Sequence, residues 1–111
     1  MREDPSSWMH IDELGAAYRR RDLSPVEVTR SLLERIGRLN PDLNCFITLF
    51  ESSALQEAQE SEERYRTQSS LGPLDGIPLS MKDVFHVAGH PTTAGSRILT
   101  DSMATENSAV T

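Results

Sequence analysis

The sequence predicts an α/β fold in which helices cover a central sheet. Three segments carry apolar residues at the three- and four-residue spacing of amphipathic helices. Two short segments, residues 45–50 and 77–81, are rich in aromatic, branched or other apolar residues and are typical of strands. The second is apolar on both faces, as in a sheet interior that helices cover on each side. With 111 residues, the chain has room for one small domain.

The composition argues against several functional classes. The net charge is −6 and the isoelectric point about 4.9, whereas general nucleic-acid and anionic-membrane binders are usually basic. Apolar runs are far shorter than the roughly 20 residues of a membrane helix, and the N-terminus lacks the pattern of a signal peptide. Cys45 is the single cysteine, so we expect a reducing compartment, the cytoplasm, and no internal disulfide framework.

The first helix is predicted over residues 8–21. Trp8, Ile11, Leu14 and Tyr18 recur at the spacing of one helix face. Acidic residues near its start and three consecutive arginines at its end have the polarity that complements the helix dipole.

The second helix begins with a capping box, Ser24 to Glu27, and has Pro25 at its first position. Asn40-Pro41 is expected to end it. Its core stripe is predicted to be Val26, Thr29, Leu32, Leu33, Ile36 and Leu39. Because only two residues separate the two helices, we expect a helical hairpin at residues 1–41, followed by the start of an α/β core at residues 42–111.

The α/β core is predicted to open with the strand at residues 45–50, where Cys45 would be an inert core thiol. A third, long helix follows over residues 52–68, capped by Ser52 or Ser53. Its thin apolar face is predicted to be Ala54, Leu55, Ala58, Ser61 and Tyr65, and we interpret its glutamates as a solvated surface.

Turn signals then dominate. A loop at residues 69–73 and a turn at Asp75-Gly76 lead into the strand at residues 77–81, which ends beside Lys82. The remaining predictions are a small-residue loop at residues 88–96, an apolar anchor at Ile98 and Leu99, and the start of a further helix at residues 106–110.

Lys82 is the only lysine in the chain and lies where an apolar strand meets a loop of small residues. A partly desolvated lysine loses preference for its ammonium form and can act as a base. The alternative, which position alone favours, is a lysine whose stem packs on the strand end while its charge reaches water. A metal site at His86 and His90 is not expected, because Gly89 and Pro91 interrupt the helix that this spacing requires.

Two segments resemble the amidase signature family. Its G-P-L-x-G-I-P-[apolar]-x-[apolar]-K-D segment is matched by GPLDGIPLSMKD at residues 72–83, and its V-A-G-x-x-T-T-A-G-S segment by VAGHPTTAGS at residues 87–96. The upstream layout is also similar, with L-S-P at residues 23–25, I-x-x-x-N-P at 36–41 and N-x-F at 44–46. The resemblance extends over nearly all of the chain, and residues 72–96 carry most of its specificity.

This resemblance implies the N-terminal part of an α/β enzyme with a central mixed sheet and helices on both sides. Such enzymes hydrolyse carboxylic amides, or pass the released ammonia on, without a cofactor or a metal. Their triad is a nucleophilic serine, a second serine on a cis peptide bond, and a lysine, which corresponds here to Lys82. The lysine takes the proton of the bridging serine, which in turn deprotonates the nucleophile, and later returns a proton to the leaving amine.

In that family both serines follow the lysine at a distance, so we assign none of the serines of residues 1–111 to the triad. We expect these residues to be inactive alone and to need the remainder of the amidase domain for folding. Substrate-binding residues stay unassigned. The expected partner is a small-molecule amide; neither a membrane nor direct nucleic-acid contact is expected, and a homo-oligomer stays open.

Two other functions stay open. One is the A subunit of a tRNA-dependent amidotransferase, whose N-terminal layout is similar. The other is a non-catalytic, amidase-like module that docks on a partner through its helix hairpin. A serine- and glycine-rich segment downstream would favour an enzyme. The roles of Thr92, Thr93, Gly95 and Ser96 are also open, since they could either position Lys82 or merely allow tight packing.

Overall fold

The computed structural model describes residues 4–111, which form helices, turns and irregular backbone. Its three α-helices are α1 (Ile11–Arg20), α2 (Pro25–Leu43) and α3 (Glu51–Arg66), and two short 3-10 turns are Pro5–Trp8 and Arg97–Leu99. The chain divides into two compact units. The first ends at Pro78, and the second extends from Leu79 to Thr111.

The two predicted strands are absent from the described residues, so the sheet of the predicted α/β fold is not seen there. A strand needs a neighbour for its backbone hydrogen bonds, and neither segment pairs within residues 4–111. Pro78, which has no N–H group, further limits pairing by residues 77–81. Cys45 is exposed, so its prediction as a core thiol is wrong. No helix in the described part of the chain has the length and apolar character needed to cross a bilayer.

Helix α1 begins at Ile11, later than predicted, because the chain first makes a separate turn. Asp4 caps that 3-10 turn by accepting a hydrogen bond from the Ser6 amide at 2.9 Å. Trp8 lies in the turn and is 69% exposed, with the Arg35 guanidinium 4.8 Å from the centre of its ring. Of the predicted apolar face, Leu14 and Tyr18 are buried, whereas Trp8 and Ile11 are exposed.

The capping box of α2 is confirmed. The Ser24 hydroxyl accepts from the Val26 amide at 3.0 Å, and the Glu27 carboxylate accepts from the Ser24 amide at 3.0 Å. The predicted end at Asn40-Pro41 is wrong, because the helix continues to Leu43 with Pro41 in its last turn. Pro41 removes only one helical donor so close to the end.

The termination of α2 depends on Asn40. Its side-chain amide donates to the Phe46 carbonyl at 3.0 Å and its oxygen accepts from the Phe46 amide at 2.8 Å. Asn44 adopts a left-handed conformation with φ 51°, which stops the helix. These bonds hold the following segment as an irregular turn in place of the predicted strand.

Helix α3 packs against both α1 and α2. Its buried residues, Ala58, Ser61 and Tyr65, belong to the predicted thin apolar face, and its predicted acidic surface is exposed. The core of the first unit is the cluster of Leu14, Tyr18, Val28 and Tyr65. The two tyrosine rings lie 5.5 Å apart, and burial beside Tyr65 raises the pKa of Tyr18 to about 12.

The second unit is built from backbone pairing between residues 86–92 and 102–108. Gly89 donates to the Ala104 carbonyl at 2.9 Å, Ala104 donates to His90 at 3.0 Å, and Thr92 donates to Ser102 at 3.1 Å. An isolated antiparallel bridge joins Pro91 and Met103 at the centre of this ribbon.

Two predictions for the second unit are wrong. Ile98, predicted as an apolar anchor, is 92% exposed, and Leu99 is also exposed. The predicted helix at residues 106–110 is irregular, because its backbone groups serve the ribbon: the Ser108 amide donates to the His86 carbonyl at 2.9 Å.

Candidate functional site

Lys82 lies in the second unit with an exposed side chain. Its carbonyl accepts hydrogen bonds from the Val84 amide at 2.7 Å and the Phe85 amide at 3.0 Å, so the chain turns sharply directly after it. The predicted strand end is replaced by this turn. The catalytic role of Lys82 stays a prediction.

The next residue, Asp83, is tied to a loop ten positions away in sequence. Its carboxylate accepts from the Thr93 amide at 3.1 Å and from the Thr93 hydroxyl. Its carbonyl accepts from the Ala94 amide at 2.8 Å. Two hydrogen bonds lower the pKa of Asp83: the larger effect comes from the Thr93 hydroxyl and the smaller from the Thr93 amide. The carboxylate is therefore ionised at neutral pH and acts as an acceptor.

The two threonines of the loop at residues 92–96 differ in their hydrogen bonding. The Thr93 hydroxyl, besides donating to Asp83, accepts from the Gly95 amide at 3.2 Å, and the Thr93 carbonyl accepts from the Ser96 amide at 2.8 Å. The Thr92 hydroxyl is buried and has no hydrogen-bond partner among residues 4–111. Ala94 and Gly95 are both left-handed, with φ 48° and 73°, which turns the loop back on Thr93.

In the first unit, the turn at Asp75-Gly76 is fixed by a clamp that sequence analysis missed. Asp75 pairs with Arg64 of α3, accepts from the Leu71 amide at 3.0 Å, and through its carbonyl accepts from the Tyr65 hydroxyl at 3.0 Å. The hydrogen bonds from Arg64, opposed by burial, hold the pKa of Asp75 well below its usual range. Gly76 follows with φ 78° and lies directly against α2 and α3.

Among the residues that the structure describes, the potential metal ligands are not brought together. Within residues 4–111, no three His, Cys, Asp or Glu side chains are grouped closely enough to hold an ion. The His86 carbonyl is committed to the ribbon, where it accepts from the Ser108 amide and the Thr111 hydroxyl.

Comparison with known proteins gives a consistent result. The profile of the protein family described as Amidase matches residues 27–111, the part that contains Lys82, Asp83 and Thr93. The chain is 43% identical over 102 residues to the A subunit of the glutamyl-tRNA(Gln) amidotransferase of Hahella chejuensis, covering 91% of this chain and 21% of that protein. It is 31% identical over 110 residues to an acylamidase of Rhodococcus erythropolis, covering 99% and 23%.

A third relative is the A subunit of the glutamyl-tRNA(Gln) amidotransferase of Chloroflexus aurantiacus, 46% identical over 84 residues and covering 76% of this chain and 17% of that protein. The chain thus spans about a fifth of the length of the curated relatives that it matches. Among solved structures, none matches the chain significantly.

Proposed function

The chain belongs to the amidase signature family, and from that membership we propose that the protein cleaves the carbon–nitrogen bond of carboxylic amides. The observation that carries this proposal is the position of Lys82. The only lysine of the chain stands at the K-D position of the family's segment, inside the range that the family profile matches. The names of the relatives also refer to amide chemistry: one class is an amidotransferase subunit and the other is an acylamidase.

The proposed mechanism uses Lys82 as the base of a serine–cis-serine–lysine triad. An unprotonated Lys82 accepts the proton of the bridging serine, the bridging serine takes that of the nucleophilic serine, and the nucleophile attacks the amide carbonyl. Lys82 then returns its proton through the same route to the nitrogen of the leaving amine. Both serines, and the sheet on which they are held, are assigned by this proposal to the rest of the amidase domain.

The exposed apolar side chains of the second unit favour the proposal that this unit is part of a larger domain. They extend along its irregular segments, although a stable surface rarely presents so many large apolar groups in so few residues. We propose that the rest of the amidase domain covers them. They are Leu79, Val84, Phe85, Ile98, Leu99, Met103 and Val110. The cytoplasm remains the proposed location, because a free cysteine is usual in a reducing compartment.

A second candidate function is that of the A subunit of an amidotransferase, in which released ammonia is passed to an aminoacyl-tRNA on partner subunits. The observation that favours it is the degree of identity, 43% and 46% to two proteins of that name against 31% to the acylamidase. Ammonia release from L-glutamine that needs copurifying proteins would favour the amidotransferase. Hydrolysis of simple acyl amides by the purified protein alone would favour the free-standing amidase.

The direct test replaces Lys82 in the full-length protein. Lys82→Ala should lower amide hydrolysis by about 10³- to 10⁴-fold with the fold intact, because the triad loses its base. Lys82→Arg should be no better, since a guanidinium does not give up its proton. Arg97→Ala, which removes another exposed cation of the same unit, serves as the control and should leave turnover unchanged.

Near-normal turnover by a folded Lys82→Ala protein would refute the proposed mechanism. A wild-type protein that hydrolyses no amide but retains a partner protein through α1 and α2 would favour the docking module instead.

A further inference from the structure

The backbone on the C-terminal side of Lys82 is held by hydrogen bonds, whereas the Lys82 side chain is exposed. On the C-terminal side, the Lys82 carbonyl accepts two amide donors of its own turn. One residue further, Asp83 is bonded through its carboxylate and its carbonyl to Thr93 and Ala94. Contacts of the Lys82 carbonyl and of Asp83 therefore constrain the backbone that directly follows the Lys82 side chain.

We infer that Asp83 and Thr93 are positioning residues for Lys82, an inference that rests on the proposed function. Lys82 has a long, flexible side chain, and in a proton relay its nitrogen must meet the bridging serine at hydrogen-bond distance. A shift of the lysine backbone of about 1 Å can cost about 100-fold in rate. The Asp83–Thr93 contact removes that freedom by joining residue 83 to a second loop.

Thr93 is the better of the two for a test, because its hydroxyl makes two bonds at once. It donates to the Asp83 carboxylate and accepts from the Gly95 amide at 3.2 Å. Thr93→Val keeps the branched shape of the side chain but removes both bonds, leaving only the Thr93 amide on the carboxylate. Thr93→Ser keeps the hydroxyl and should restore the contact.

Thr92 offers a matched control on the adjacent position. Its hydroxyl is buried without a hydrogen-bond partner in the described residues. Thr92→Val therefore makes the same chemical change in the same loop without breaking a bond to Asp83, and it reports any general effect of the substitution on packing.

The experiment measures kcat and KM of the full-length protein and its variants with three probes: hexanoyl p-nitroanilide, p-nitrophenyl hexanoate and L-glutamine. Thr93→Val should lower kcat for amides by about 10- to 100-fold with little change in KM, since the base is misplaced and substrate contacts are not. The ester should lose less, because p-nitrophenolate departs without a proton from Lys82. Thr93→Ser should recover most of the rate, and Thr92→Val should resemble the wild type.

The outcomes separate this inference from the proposed function. If Lys82→Ala removes amide hydrolysis while a folded Thr93→Val protein keeps the wild-type kcat, the positioning role is wrong and the proposed function stands. Equal losses on amide and ester that follow a loss of folded protein also overturn the positioning role. Turnover that survives Lys82→Ala, or a wild type that acts on none of the three probes, contradicts the proposed function itself.

Discussion

Asp75 and Arg64 form a two-point ion pair that joins the loop after α3 back to the last turns of that helix. Arg64 Nε donates to Asp75 Oδ2 at 3.0 Å, and Arg64 Nη2 donates to Asp75 Oδ1 at 2.7 Å. The Asp75 side chain is 2% exposed and that of Arg64 is 28% exposed. The pair thus holds the buried Asp75 carboxylate in place, a few residues before Lys82 in the sequence.

Asp75→Ala should destabilise the protein by about 2 to 3 kcal/mol, because it removes charge-assisted hydrogen bonds and leaves Arg64 and the Leu71 amide without their acceptor. Arg64→Lys should be intermediate, since an ammonium cannot make the two parallel bonds of a guanidinium. The measurement is denaturant unfolding of the full-length protein.

The control lies one half-turn further along α3. Arg66 pairs with Glu63, but both side chains are more than half exposed. Arg66→Ala should therefore change the free energy of unfolding far less than Asp75→Ala does, because water screens an exposed ion pair. A loss as large as that of Asp75→Ala would mean that exposure does not distinguish the two pairs, and the assigned importance of Asp75 would be wrong.

The contribution of the Asp75–Arg64 pair to stability should depend on pH. Arg64 lowers the pKa of Asp75 below its ordinary value of 3.8 in the folded protein. The folded state therefore binds the Asp75 proton less readily than the unfolded state, and the stabilisation is present above about pH 4 and lost as the pH falls below it.

Thermal unfolding of the wild type and of Asp75→Asn, compared between about pH 6 and about pH 3, measures this contribution. The difference in melting temperature should narrow toward the acidic end, because the amide does not titrate. A constant difference would show that the Asp75 carboxylate is not the titrating group.

The helices could be predicted from the sequence because their signals are local. Ser24, Pro25 and Glu27 determine the start of α2 within one turn, and the structure confirms that start. Val28, only 1% exposed, lies outside the predicted stripe, because which helix face is buried depends on α3 and not on α2 alone. The strand predictions failed for the complementary reason: residues 77–81 form a strand only if another segment pairs with them.

The candidate site, too, could be predicted only in part from the sequence. Lys82 could be found because it lies within a recognisable run of glycines and prolines. The contact between Asp83 and Thr93 could not, since these residues are ten positions apart. The Arg64–Asp75 pair of the first unit was missed for the same reason, because its residues are eleven positions apart. No helical or strand period links such pairs. Only the turns between them bring them into contact, and those turns are defined by backbone hydrogen bonds that composition does not encode.

Gly76→Ala should be strongly destabilising, because the position combines a left-handed backbone with close packing. A Cβ there would lie 2.7 Å from Ser61 Oγ and 2.9 Å from Pro25 Cγ, at a φ of 78°. Left-handed strain contributes about 1 to 2 kcal/mol and the overlap about 1 to 3 kcal/mol more. Denaturant unfolding of the full-length protein measures the sum.

Gly89→Ala isolates the steric part of the Gly76 effect. Gly89 has a φ of 80°, almost the same as Gly76, but a Cβ there would meet no atom within 4 Å. Its substitution should cost only the backbone strain of about 1 to 2 kcal/mol. If the turn at Gly76 is packed on α2 and α3 as observed, Gly76→Ala must lower the free energy of unfolding more than Gly89→Ala does. Equal losses would show that Pro25 and Ser61 move aside at little cost and that close packing does not hold this turn.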